Sequence, residues 1–134
     1  MHYQNILHID DDEEDQEIFL TVIKDISDSL NCNSFNNASE ALKQLIEKKI
    51  TAEIIFIDLN MPIMNGLDFI TAIKKIDVFK NIPVIVFSTF ADYTTIQSLK
   101  AAGAYDFITK PDTFNQLTNL LKPLLSKPQH GHAF

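Results

Sequence analysis

Apolar residues fall into short unbroken runs and longer spaced stripes, and the two alternate five times along the chain. The runs are Ile6-Leu7-His8-Ile9, a weaker one over 31–35, Ile54-Ile55-Phe56-Ile57, Pro83-Val84-Ile85-Val86-Phe87, and 104–108. Runs this short, bounded by Pro, Gly or acids, predict strands buried on both faces. The stripes predict helices. Ile18, Val22, Ile23 and Ile26 share a face after Glu13, and Ala38, Leu42, Leu45 and Ile46 share another, capped by Asn37 or Ser39. Gly66 opens a third helix with Leu67, Ile70 and Ile73, fading after Ile76. A fourth, about 92–102, buries Ile96 and Leu99 and ends at Gly103. The last begins near Asp112 and carries Phe114, Leu117, Leu120, Leu121, Leu124 and Leu125. Pro123 falls inside it and predicts a kink or break, because it removes a helical hydrogen bond.

Five strand–helix units in strict alternation imply right-handed crossovers and a doubly wound, five-stranded parallel α/β sheet. The expected domain is 1–126. The remaining 127–134, with Pro128, Gly131 and two histidines, is expected to be a disordered tail.

Composition narrows the classes. The chain has 134 residues, 46% apolar and 22% charged, which suits one ordinary globular domain. No apolar stretch is long enough to cross a bilayer, and Met1 to Asn5 lack the basic start of a signal peptide, so a cytoplasmic protein without membrane contact is expected. Cys32 is the single cysteine, which excludes an internal disulfide and a multi-cysteine zinc site. A formal charge of −7 argues against direct nucleic-acid binding.

Polar groups at the strand ends carry the chemistry. In a parallel sheet, ligands bind at the carboxyl ends of the strands, where the connecting loops open a crevice. That edge would collect Asp10, Asp11, Asp58, Ser88 and Lys110. Asp58 taken alone reads more readily as a helix cap, and Asp12 to Asp15 as acids favouring the positive end of the first helix. His8 reads as a core histidine. Three gathered carboxylates repel one another unless a cation offsets them, and an oxygen-only set suits Mg2+. With a lysine and a hydroxyl opposite, these are the parts that stabilise a phosphoryl group moving to a carboxylate. Asp58 is the natural nucleophile, with Asp10 and Asp11 holding the metal.

Five segments together resemble the receiver domain of two-component response regulators, over the chain to about residue 126. They are Ile9-Asp10-Asp11-Asp12, Ile57-Asp58-Leu59-Asn60-Met61-Pro62 with Asn65-Gly66, Phe87-Ser88-Thr89, Ala102-Gly103-Ala104 and Thr109-Lys110-Pro111. The resemblance implies a flavodoxin-like three-layer sandwich. It implies that Asp58 accepts phosphate from a sensor histidine kinase or a histidine phosphotransfer protein. It further implies Mg2+ ligation by Asp11, Asp58 and the Asn60 backbone carbonyl with Asp10 in support, a phosphoryl contact from Ser88, and pairing with Lys110. A cis Lys110–Pro111 peptide is common in the family. The family's switch would couple Ser88 to Phe107, a ring without the hydroxyl that many members carry, and Tyr105 would lie on the same strand face. Phe90 stands where some members carry a carboxylate, and it is expected to shield the acyl phosphate.

The resemblance implies a phosphoacceptor rather than an enzyme. An aspartate-nucleophile phosphatase would need a second Asp where Asn60 stands, and a substrate cap. A docking module without chemistry would not need the polar set. The length leaves no room for an appended output domain, so the output is expected to be a partner protein or onward phosphotransfer. The chain is expected to be a monomer, or a phosphorylation-dependent homodimer through the fourth helix, fifth strand and fifth helix.

Overall fold

The computed structural model describes residues 3–126. The expected tail at 127–134 lies outside them. Ten elements alternate in order: β1 (Asn5–Ile9), α1 (Glu13–Ile26), β2 (Asn31–Phe35), α2 (Ala38–Ile46), β3 (Ile54–Asp58), α3 (Gly66–Ile73), β4 (Val84–Ser88), α4 (Tyr93–Ala102), β5 (Asp106–Thr109) and α5 (Phe114–Ser126). All strand pairings are parallel and the sheet order is β2-β1-β3-β4-β5. This is the flavodoxin-like doubly wound order.

The period-2 alternation of the strands divides the core between two faces. Leu7, Ile9, Ile55, Ile57, Val84 and Val86 pack against α2, α3 and α4. Ile6, Ile54, Phe56, Ile85 and Phe87 pack against α1 and α5. β3 is buried along its whole length because β1 and β4 flank it and helices cover both faces. Helix ends follow local chemistry. Asn37 caps α2 through the Glu40 amide, and Gly103, at φ 104°, closes α4 in a left-handed conformation that suits glycine.

Several boundaries differ from the pattern. β5 starts at Asp106, because Ala104 and Tyr105 still belong to the turn that leaves α4. Strict alternation therefore does not reach Tyr105. It packs with the α1/α5 cluster, whereas Phe107 packs on the other face, so the two do not share a side. The pattern missed Phe19, which is buried, while Ile18, Ile46 and Phe114 are exposed. Adjacent apolar residues such as Ile18 and Phe19 leave the rotation of a helix undetermined until it packs. Ile96 is only half-buried, and α4 buries Leu99. α5 continues through Pro123 without a break. Pro123 and Asn119 are both exposed, so the carbonyl that loses its partner faces water, while Leu121 and Leu125 stay buried on either side. Every peptide bond among the described residues is trans, Lys110–Pro111 included. The two isomers at an X–Pro bond differ by only about 0.5–1 kcal/mol, so the residue pair does not dictate cis.

Candidate functional site

β1, β3 and β5 each end by placing a charged side chain at the same edge of the sheet. Backbone bonds fix those ends: Asp10 N–H donates to the Phe35 carbonyl (3.0 Å), Leu59 N–H to Phe87 (2.8 Å) and Lys110 N–H to Ser88 (2.9 Å). By alternation Asp10, Asp58 and Lys110 fall on the α1/α5 side, and Ser88 falls on the α3/α4 side with Phe107. Asp58 does not cap α3. That role belongs to Asn65, which forms a reciprocal capping box with Asp68. Gly66 lets the first turn of α3 press against the end of β3, since a Cβ there would lie 3.1 Å from both the Asp58 carbonyl oxygen and Leu59 Cα.

The Lys110 ammonium sits among three carboxylates. Its Nζ lies 2.9 Å from Asp15 Oδ2, 3.1 Å from Asp10 Oδ2 and 3.4 Å from Asp58 Oδ2. Asp10 and Asp58 are 2% and 7% exposed, whereas Asp11 is exposed. The second oxygens are also held: Asp10 Oδ1 accepts from Asp12 N–H (3.0 Å) and Asp58 Oδ1 from Asn60 N–H (3.2 Å). Gln16 Nε2 donates to the Asp10 carbonyl at 2.6 Å, tying α1 to the end of β1.

Burial raises the Asp10 pKa to about 6, with the Asp12 amide and Lys110 opposing and Asp58 adding to the rise. Burial also raises Asp58, against the pull of Lys110. For Lys110, burial works against the charge, but the bond to Asp15 and the charges of Asp10 and Asp58 outweigh it, and its pKa is raised. Two carboxylates with raised pKa values beside one lysine form a cluster with surplus negative charge. Oxygens of Asp10, Asp11 and Asp58 lie within 4.8 Å of one another. An all-oxygen set this compact, short of positive charge, fits a hard divalent cation such as Mg2+.

Ser88 is fully buried and turned toward the loop that follows β4. Its hydroxyl donates to the Phe90 carbonyl (2.7 Å) and accepts from Asn60 Nδ2 (2.9 Å) and Phe90 N–H (3.2 Å). Phe90 acts here through its backbone. The residue as a whole is 75% exposed, against the expectation of a ring packed over the site. Phe107 is half-buried against the α2–α4 cluster.

Two contributions were not legible in the pattern: the Asp15 carboxylate on Lys110, and the Asn60 side-chain amide on Ser88. Asp15 looked like one more acid favouring the helix N-terminus. The available signal was its spacing, four residues before the buried Phe19, which turns it toward the sheet.

His8 is stacked on Phe19 with ring centroids 3.9 Å apart, and its Nδ1 has no hydrogen-bond partner. Burial, then the Lys110 charge, lowers its pKa to about 3. A pKa depressed from 6.5 means that the unfolded chain binds the proton better, so His8 costs stability progressively as pH falls from about 6.5 toward 3. His8→Phe removes this penalty while keeping the stacked ring. Relative to wild type, the variant should be more stable at pH 4.5 than at pH 7.5 by roughly 2–3 kcal/mol. Urea unfolding at the two pH values measures this, and a pH-independent difference would contradict a buried neutral His8.

With the geometry in hand, the kinship is plain. A family model described as the response regulator receiver domain matches residues 6–122. The chain is 35% identical over 118 residues to a putative NtrX-like response regulator of Rickettsia bellii, covering 88% of this chain and 24% of that protein. It is 32% identical over 118 residues to a protein-glutamate methylesterase/protein-glutamine glutaminase of Methanococcoides burtonii, covering 85% of this chain and 33% of that one. The chain thus spans between a quarter and a third of the length of these relatives. The phosphorylated cyanobacterial phytochrome response regulator RcpA shares the fold, with a TM-score of 0.82 at 22% identity and 91% of each chain covered. The chain belongs to the response regulator receiver domain family of two-component signalling. Among the described residues, no helix is long and apolar enough to cross a membrane.

Proposed function

We propose that Asp58 is the phosphoacceptor of a receiver that takes its phosphoryl group from a phosphohistidine on a sensor kinase or phosphotransfer protein. A carboxylate oxygen of Asp58 attacks phosphorus, the P–N bond breaks, and the electron pair leaves on the imidazole nitrogen of the donor. The observation that carries this reading is the ammonium of Lys110 set against both Asp10 and Asp58 at the end of the central strand. Held there, it meets the negative charge of an incoming phosphoryl group without rearranging. Asp10, Asp11 and Asp58 would hold Mg2+ with the Asn60 carbonyl, and the bound ion would neutralise phosphoryl charge.

Ser88 supplies the response. A phosphoryl oxygen on Asp58 competes with the Phe90 carbonyl for the Ser88 hydroxyl, and a turn of Ser88 loosens its bonds to Asn60 and to the loop leading into α4. Phe107, on the same face, would repack into the space released. The altered α4–β5–α5 surface would then bind an output protein or a second copy of the chain, in the cytosol. The acidic balance of the chain disfavours nucleic acid as a direct partner.

Intact mass after incubation with a small-molecule phosphodonor and Mg2+ tests the reading. One phosphoryl adduct on wild type, lost in Asp58→Ala and lost without Mg2+, is the expected result. A folded protein that takes none would refute it.

A further inference from the structure

The proposed transfer leaves Asp15 without a part, although it makes the shortest of the three Lys110 contacts, at 2.9 Å. Asp15 sits in the first turn of α1, a different element from every other residue in the cluster. An acid there needs only exposure to favour the helix N-terminus. This one is instead half-buried and joined to a strand end 95 residues away.

An ammonium has three N–H donors, and here each has its own carboxylate. Two acceptors, Asp10 and Asp58, would leave the head group free to rotate about the line between them. A third, on α1, removes that freedom. It matters because the lysine stem is flexible and has many rotamers open to it. It also has somewhere to go. Lys110 and Asp15 both line a cleft of about 140 Å³ between α1 and the start of α5, which His8, Phe19 and Phe114 help to wall. The Gln16 bond to the Asp10 carbonyl fixes the same turn of α1 to β1, so Asp15 is itself firmly based.

We infer that Asp15 is a positioning residue, which holds the Lys110 ammonium in the orientation that meets the phosphoryl group on Asp58. The inference rests on the phosphoacceptor reading given above. Asp15 touches no reacting atom, and it acts by fixing the Lys110 ammonium at the wall of the cleft, where the head group would otherwise swing free.

The test compares wild type, Asp15→Asn and Asp15→Ala in two measurements. The first is the rate of phosphoryl uptake from acetyl phosphate with Mg2+, read by intact mass on samples shown by circular dichroism to be folded. Asp15→Ala should be slower by about five- to tenfold, and Asp15→Asn, which keeps an acceptor oxygen, should recover part of the rate. The second is the ammonium signal of Lys110 in lysine-labelled protein by NMR, recorded without phosphodonor. It should be sharp in wild type and broadened or lost in Asp15→Ala. A loss of stability alone would change neither the rate per folded molecule nor the order of the three proteins. Wild-type uptake in Asp15→Ala overturns the positioning role. A wild type that takes no phosphoryl group overturns the parent reading, and the role of Asp15 in transfer with it. An unchanged ammonium signal in Asp15→Ala overturns the anchoring of Lys110 whatever the phosphorylation result.

Discussion

Lys110→Met should reduce the rate of phosphoryl uptake by about a hundredfold or more, while leaving the protein folded. Preorganised charge aimed at a transition state is typically worth about 10²–10³ in rate, and Lys110 is the cation the described residues place among these carboxylates. Methionine keeps the unbranched stem and its packing, so the loss reports the charge. The fold survives because the freed carboxylates can take up a proton or a divalent cation, and Asp10 already holds its proton up to about pH 6. The measurement is the time course of intact mass with a small phosphodonor. A rate within threefold of wild type would remove Lys110 from the mechanism.

Asp10→Asn should make the protein more stable and the site worse. The sign follows from the raised pKa. With a value of about 6 against 3.8 unperturbed, folded Asp10 holds its proton more tightly than the unfolded chain does. Its ionisation therefore costs stability as pH rises from about 4 to 6, and the full cost persists above that. Two pKa units correspond to about 3 kcal/mol. Asparagine removes that cost, which is already net of the pull of Lys110, so the gain is up to about 3 kcal/mol at pH 7.5 and vanishes near pH 4. Mg2+ affinity should drop by at least tenfold, since one carboxylate of the compact oxygen set is gone. Urea unfolding at both pH values and Mg2+ titration followed by NMR measure the two effects. Lower stability at pH 7.5 would show that the Lys110 bridge outweighs the burial of charge. Activity and stability pull in opposite directions here, as they often do where like charges are gathered for function.

The parts of the fold most legible in the sequence were those where one physical requirement acts alone. Ile54 to Ile57 is an unbroken apolar run because β3 is buried on both faces, and no other element suits so short a run. Asp10, Asp58 and Lys110 could be placed because strand ends in a parallel sheet share one edge. Elements serving two requirements were less legible. Ala104 and Tyr105 are apolar like a strand but belong to the turn after Gly103, so the face of Tyr105 could not be counted from Phe107. Pro123 is a breaker by its chemistry, yet it sits on the exposed side of α5, where water can satisfy the carbonyl it strands. Asp15 was hidden among acids that the helix N-terminus already explained, and only the packing of Phe19 shows which way it turns. The Ser88 hydroxyl could be foreseen as a polar strand end. Its bonds to Asn60 and Phe90 could not, because they depend on how two loops meet.

A covalent acyl phosphate on Asp58 is tested most directly by borohydride trapping. Borohydride reduces an acyl phosphate on aspartate to the alcohol, leaving homoserine in the chain where the phosphoryl group had been. The protein would be treated with phosphodonor and Mg2+, reduced, digested and sequenced by mass spectrometry. Homoserine at position 58, dependent on both donor and Mg2+, is the expected result. Homoserine at Asp10 or Asp11 instead, or none in a protein that remains folded, would contradict it.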